Sequence, residues 1–221
     1  MKKIIIAFLA IAILTTSCKN MNKTQKGAAV GAAGGAAVGA VIGKAAGNTA
    51  LGAIIGATVG GATGAVIGRK MDKQAEEIKE EVPGAKVERV GEGIVVEFSN
   101  AVLFGFDQSD LSSQAETTLN DLITILNKYP DTDLEIQGHT DNTGTEDYNM
   151  GLSQRRAQAV ANYLTNHSIS SKRVKTIGFG ETAPKYGNDT ESGRSQNRRV
   201  NFLITANEKM KNDAKKESNN Q

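Results

Sequence analysis

The chain has 221 residues, enough for one domain of ordinary size plus extensions. Its formal net charge is +2, and without Lys2 and Lys3 the basic and acidic residues balance at 24 each. That excludes a general basic field for nucleic acid, and with no Trp and few aromatics a stacking surface for single strands is equally unsupported. Cys18 is the single cysteine and His139 and His167 the two histidines, so neither an intrachain disulfide nor a Cys- or His-rich metal site is expected, and no cofactor is implied.

Residues 1–17 have the layout of a signal peptide: basic Lys2 and Lys3, an apolar run over 4–14, then small Thr15, Thr16 and Ser17. The run is shorter than the ~20 residues that a helix needs to span a bilayer. Cys18 follows directly. The arrangement resembles the lipobox of bacterial lipoproteins, with Leu14 one position further upstream than usual. The resemblance implies cleavage before Cys18 and acylation there, palmitate included. Acylation also removes a lone thiol that an oxidising compartment would attack, and several acyl chains hold a membrane where one holds marginally. Residue two of the mature chain is Lys19, not the Asp that retains enteric lipoproteins at the inner membrane. A lipid-anchored protein of the outer membrane facing the periplasm is therefore expected. Residues 18–26 form a short linker.

Glycines recur every fourth residue at 27, 31, 35, 39, 43 and 47, and again at 52, 56, 60, 64 and 68. This period places them on one slowly drifting helix face. Each costs about 0.8–1 kcal/mol against alanine in a soluble helix. Their use is close backbone approach, as on small-residue faces of membrane helices. With Gly47, Asn48 and Thr49 as the turn, 27–68 reads as a glycine-zipped helical hairpin. Insertion in lipid, homo-oligomerisation and lying on the membrane all remain open. A flexible Gly/Ala linker is the alternative, but a linker has no reason to keep a period. Residues 69–84 are strongly polar, with Met71, Ala75, Ile78 and Val82 at helical spacing, and read as a solvated helical linker stopped at Pro83 and Gly84.

Residues 85–206 carry the pattern of one α+β domain. Segments 86–89 and 94–98 flank Gly91 and Gly93 as a hairpin. Leu119, Leu122, Ile123 and Leu126 give 113–128 one apolar helix face, ended at Tyr129 and Pro130. Segments 133–138, 173–179 and 199–205 read as strands, and 149–167 as a second helix. Residues 207–221 are charged and amide-rich, and a disordered tail is expected.

Five separated strings, FGFDQSDL at 104–111, GHTDNTG at 138–144, YNMGLSQRRAQAV at 148–160, GFGE at 178–181 and GRSQNRRV at 193–200, resemble in order and spacing the OmpA-like, or OmpA/MotB, C-terminal domain. The glycine ladder in turn resembles the glycine-zipper segments that precede such domains in some envelope lipoproteins. The resemblance implies a mixed βαβαββ sheet with helices on one face and non-covalent binding of peptidoglycan through the diaminopimelate of its stem peptide. It also implies the site: Asp141 for the ligand ammonium and Arg156 for the ligand carboxylate. The chemistry suits both tasks, because charge-assisted and bidentate bonds recognise a zwitterion. Asp141 and Arg156 pairing only with each other is the alternative.

Arg156 sits in the first turn of its helix if Ser153 is the N-cap, where a cation opposes the macrodipole and points to a nearby anion. A start at Asp147 or Asn149 weakens that argument. Around this pair the resemblance places Asn149, holding ligand or loop, and Asp107, Gln108 and Ser109 in a loop closing one side. Asp107 serves either the pocket or a turn. Thr140 acts through its backbone, and Leu152 belongs to the pocket wall or the core. One of Arg198 and Arg199 supports the site, with Arg199 preferred, and His139 reads as structural.

A wall hydrolase using Asp107, His139 and Asp141 is the enzymatic rival. No cysteine nucleophile, metal-ligand spacing or G-x-S-x-G elbow accompanies those residues, so a binder rather than an enzyme is expected.

Overall fold

The computed structural model describes residues 59, 61–105 and 108–220. Residues 1–17, Cys18, the linker 18–26, most of the glycine hairpin and Asp107 lie outside the described residues. In chain order the elements are α1 (Gly61–Glu81), β1 (Lys86–Val90), β2 (Gly93–Ser99), the single turn α2 (Asn100–Leu103), α3 (Ser113–Lys128), β3 (Thr132–His139), α4 (Glu146–Asn166), a 3-10 turn (Ser171–Arg173), β4 (Val174–Gly178), α5 (Glu191–Asn197), β5 (Arg199–Ala206) and α6 (Glu208–Asn219).

The five strands form one mixed sheet in the order β1-β2-β5-β3-β4. β3 and β4 are parallel, and the other neighbours are antiparallel. From β2 to β5, with α3 and α4, the succession is βαβαββ; β1 adds a strand at one edge. Alternation along the strands sends Ile94, Val96 and Phe98 of β2, Leu134 and Ile136 of β3, and Val200, Phe202 and Ile204 of β5 into one apolar cluster with the helices. Phe98 and Phe202 meet edge to face there, ring centres 5.5 Å apart.

The helix starts follow local chemistry. Ser112 accepts from the Ala115 amide at the head of α3, and Thr145 from the Tyr148 amide at the head of α4. Glu146 and Asp147 occupy the first turn of α4, where the macrodipole favours acids. Ser153 is therefore mid-helix rather than an N-cap, and Arg156 lies beyond the first turn.

Two expectations are corrected. The polar stretch 69–84 is not a solvated linker. Its helix begins within the glycine ladder, at Gly61, and buries Val66, Ile67, Met71, Gln74, Ala75 and Ile78, all but Gln74 within the main apolar cluster. Burying a large aliphatic side chain is worth roughly 1.5–3 kcal/mol, so α1 is part of the domain. Its charged flank is held as well: Tyr129 donates to Glu77 at 2.7 Å, and Arg89 pairs with Asp72 at 2.7 Å. Nor is 207–221 a disordered tail. Asn207 caps α6 by accepting from the Met210 amide. Met210 and Ala214 enter the main cluster, and Glu217 bridges Arg69 and Lys70 of α1.

Ile78→Ala is expected to cost about 2–5 kcal/mol in denaturant unfolding. Truncation after Asn207 is expected to lower Tm by several degrees, whereas removal of a disordered tail leaves Tm unchanged.

Candidate functional site

At the carboxyl ends of β2 and β3, beside α4, lies a cavity of about 510 Å³. Thr140, Asp141, Thr143, Tyr148, Asn149, Leu152 and Arg156 line one side, and Asn100, Phe104, Glu191 and Arg198 another. The glycines of two motif strings make this arrangement possible. A Cβ on Gly138 would sit 2.1 Å from the Ser153 carbonyl oxygen of α4, and one on Gly178 would sit 2.7 Å from the Gln154 amide nitrogen. A Cβ on Gly180, which is at φ +51°, would sit 2.9 Å from the Met150 amide nitrogen, and the Gly180 amide donates to Ser153 Oγ at 2.8 Å. α4 therefore lies directly on the strand ends, carrying Asn149, Leu152 and Arg156 to the loop that holds Asp141.

Asp141 is 5 % exposed. Its Oδ1 accepts from the Thr143 amide at 2.8 Å, and its Oδ2 pairs with Arg198 Nη1 at 2.5 Å. Burial pushes its carboxyl up, but the Arg198 guanidinium and the Thr143 backbone and side chain outweigh burial and hold it below the ordinary Asp value. Its partner is thus Arg198, which also reaches Glu191 at 2.7 Å, and the alternative of a simple Asp141–Arg156 pair falls.

Arg156 is 3 % exposed. Its Nε donates to the Gln108 carbonyl at 2.9 Å, and its guanidinium lies 5.4 Å from the centre of the Phe104 ring. The carboxamide of Asn100, oriented with its oxygen toward Arg156, accepts from both terminal nitrogens at 2.9 and 3.1 Å. Asn149, also buried, donates from Nδ2 to the Asp141 carbonyl, the Thr143 carbonyl and Glu181 Oε2, so it fastens the Asp141 loop to the head of α4. Thr140 lines the pocket, and its amide bonds the Gly180 carbonyl at 2.9 Å. Leu152 is both buried and part of the wall.

Two proposed members are placed differently. Ser109 is half-buried and stands outside the cavity lining. Arg199 is not at the pocket. Strand alternation puts it on the sheet face away from the helices, 1 % exposed, donating to the Asn197 and Ala183 carbonyls, with Glu97 at 3.7 Å. The arginine at the pocket is Arg198, one residue earlier and ahead of the strand alternation. Asn100, Phe104 and Glu191 were missed: Asn100 and Glu191 lie outside the five strings, and Phe104 opens one of them without a role of its own.

The profile of the OmpA family matches residues 103–198, and that of the YMGG-like Gly-zipper matches 1–72. A peptidoglycan-associated lipoprotein of Brucella melitensis is 33 % identical over 117 residues, covering 53 % of this chain and 70 % of that protein. The chain belongs to the OmpA family. The probable lipoprotein YiaD of Escherichia coli is 36 % identical over 122 residues, or 55 % of this chain; those residues span about half of YiaD's own length, 56 %. Among solved OmpA-like folds, a putative MotB-like protein from Desulfovibrio vulgaris superposes with TM-score 0.59 at 21 % identity, covering 63 % of this chain and 93 % of that one. The cell wall anchor of the T6SS from Pseudomonas aeruginosa superposes with TM-score 0.54 at 28 % identity, covering 62 % and 96 %. The OmpA family match thus takes in the Asp141 loop, α4 and Arg198.

Behind the pocket, His139 stacks on Phe179, ring centres 5.1 Å apart. Burial, then Arg199 and Lys185, push its pKa well below the usual value of 6.5. Folded His139 is neutral, and the unfolded chain takes up the proton, so stability is full above pH 6.5 and falls as pH drops below it. The expected slope is at most about 1.4 kcal/mol per pH unit between pH 6.5 and 5, and His139→Asn is expected to flatten it. Gly138→Ala is expected to destabilise the fold by several kcal/mol, because the atom it meets is backbone rather than a movable side chain.

Proposed function

We propose that this OmpA-family chain binds peptidoglycan non-covalently from a lipid anchor in the outer membrane, through the diaminopimelate of the stem peptide. The observation that carries the reading is the convergence of buried Asp141 and Arg156 on one cavity, each held by a different set of partners. A free diaminopimelate end offers an ammonium beside a carboxylate. Asp141, held ionised, receives the ammonium, and Arg156 receives the carboxylate through charge-assisted hydrogen bonding. The ammonium displaces or shares the Arg198 contact, and Glu191 keeps Arg198 engaged when it does. Relatives described as a peptidoglycan-associated lipoprotein, a probable lipoprotein and an outer membrane porin support a cell-envelope role.

The same electrostatics favour a binder over a hydrolase. A general acid needs a raised pKa, while Arg198 and Thr143 hold Asp141 below its ordinary value. Acylation of Cys18 supplies the outer-membrane end of the tether, and many wall contacts along a polymer supply avidity. The match of 1–72 to the YMGG-like Gly-zipper favours a second reading in which the glycine segment also associates with itself.

The test is sedimentation of the full chain in detergent with purified peptidoglycan. The parent is expected in the pellet, while Asp141→Ala and Arg156→Ala stay in solution with at least a roughly tenfold loss of affinity, the weight of one charged hydrogen bond. Equal pelleting of all three, with both variants folded, excludes this site. Loss of palmitate labelling in Cys18→Ala tests the anchor.

A further inference from the structure

We propose that Asn100 is a positioning residue that sets the plane of the Arg156 guanidinium and thereby the site's preference for a ligand with a free carboxylate. This rests on reading the cavity as a diaminopimelate site, and it adds a residue from outside the five motif strings.

Asn100 opens the single turn α2 directly after β2, and it is bolted there by its backbone. Its N–H donates to the Arg198 carbonyl at 2.8 Å, and its own carbonyl accepts from the Phe104 amide at 2.8 Å. With the main chain fixed on both sides and the residue 8 % exposed, its side chain has little freedom. The carboxamide oxygen meets both terminal nitrogens of Arg156, at 2.9 and 3.1 Å. The same turn places Phe104 under the guanidinium, and Gln108 receives Nε. A guanidinium has five N–H donors in a rigid fork; Asn100 and Gln108 engage three of them and leave the group no rotation about its long stem.

A long cationic side chain loses much rotamer freedom when it grips a ligand. Here that freedom is already lost, so the guanidinium is held in a fixed plane ahead of a ligand carboxylate. The residue type matters as well as the position. A carboxamide accepts without charge, whereas an aspartate there would put an anion at hydrogen-bond distance from the guanidinium that receives the ligand carboxylate. Asn100 also joins the two cations of the site, gripping Arg156 by its side chain and the main chain of Arg198 by its N–H.

The experiment uses the full chain in detergent and two stem tripeptides, L-Ala-γ-D-Glu-meso-diaminopimelate with a free side-chain carboxylate and the same peptide with that carboxylate as a carboxamide. Binding of each is measured for the parent, Asn100→Asp, Asn100→Ala and Asp141→Ala, alongside Tm. Asn100→Asp keeps shape and acceptor; it is expected to retain Tm yet lose roughly tenfold affinity for the free acid, with a far smaller loss for the carboxamide. Asn100→Ala is expected to narrow the same preference. A purely structural Asn100 would weaken both ligands alike, in step with Tm. If both Asn100 variants keep the parent preference while Asp141→Ala abolishes binding, the inference is overturned and the site reading stands. If Asp141→Ala also binds like the parent, the site reading fails and takes the inference with it.

Discussion

Everything at the pocket depends on how closely α4 lies on the strand ends. Gly138, Gly178 and Gly180 present bare backbone to Ser153, Gln154 and Met150, and any side chain at the first two would hold the helix away. Packed interiors respond to even one extra carbon, and a helix lifted here would carry Asn149 and Arg156 away from Asp141. The glycine-bearing strings GHTD and GFGE are therefore statements about helix seating as much as about ligand contact. The glycines allow the approach, Asn149 locks the loop to the helix, and Asp141 and Arg156 come to one cavity as a result.

The charges then sort into separate pairs. Asp141 looks to Arg198 and the Thr143 amide, while Arg156 looks to the Asn100 carboxamide, the Gln108 carbonyl and the Phe104 ring. Two opposite charges in one pocket would ordinarily collapse onto each other. Distinct holders on distinct elements keep them apart, so a zwitterion can bridge them.

The core of the fold was legible because its signals are periodic. The apolar face of 113–128, the hairpin around Gly91 and Gly93, and alternation in 199–205 each follow one rule, and the strand ends differ by a residue or two. The site was legible in part: Asp141, Asn149, Leu152 and Arg156 stand in recognisable strings. Arg198 and Arg199 are adjacent, and only the onset of strand alternation decides which faces the pocket. Asn100 had no local signature, since its role is set by a partner 56 positions away in sequence. The flanking helices were misread for one reason: charge density. α1 hides a buried stripe, apolar except for Gln74, among lysines and glutamates. α6 buries just Met210 and Ala214, too sparse a pattern to outweigh its composition.

The docking of α1 also fixes how the chain handles mechanical tension. A pull applied to the N-terminal end of α1 at Gly61 loads that helix along its length. Val66, Ile67, Met71 and Ile78 are embedded along the length of that helix, Asp72 and Glu77 are tied to Arg89 and Tyr129, and α6 grips Arg69 and Lys70 from outside. A force along the helix axis therefore shears many contacts together instead of peeling them one at a time.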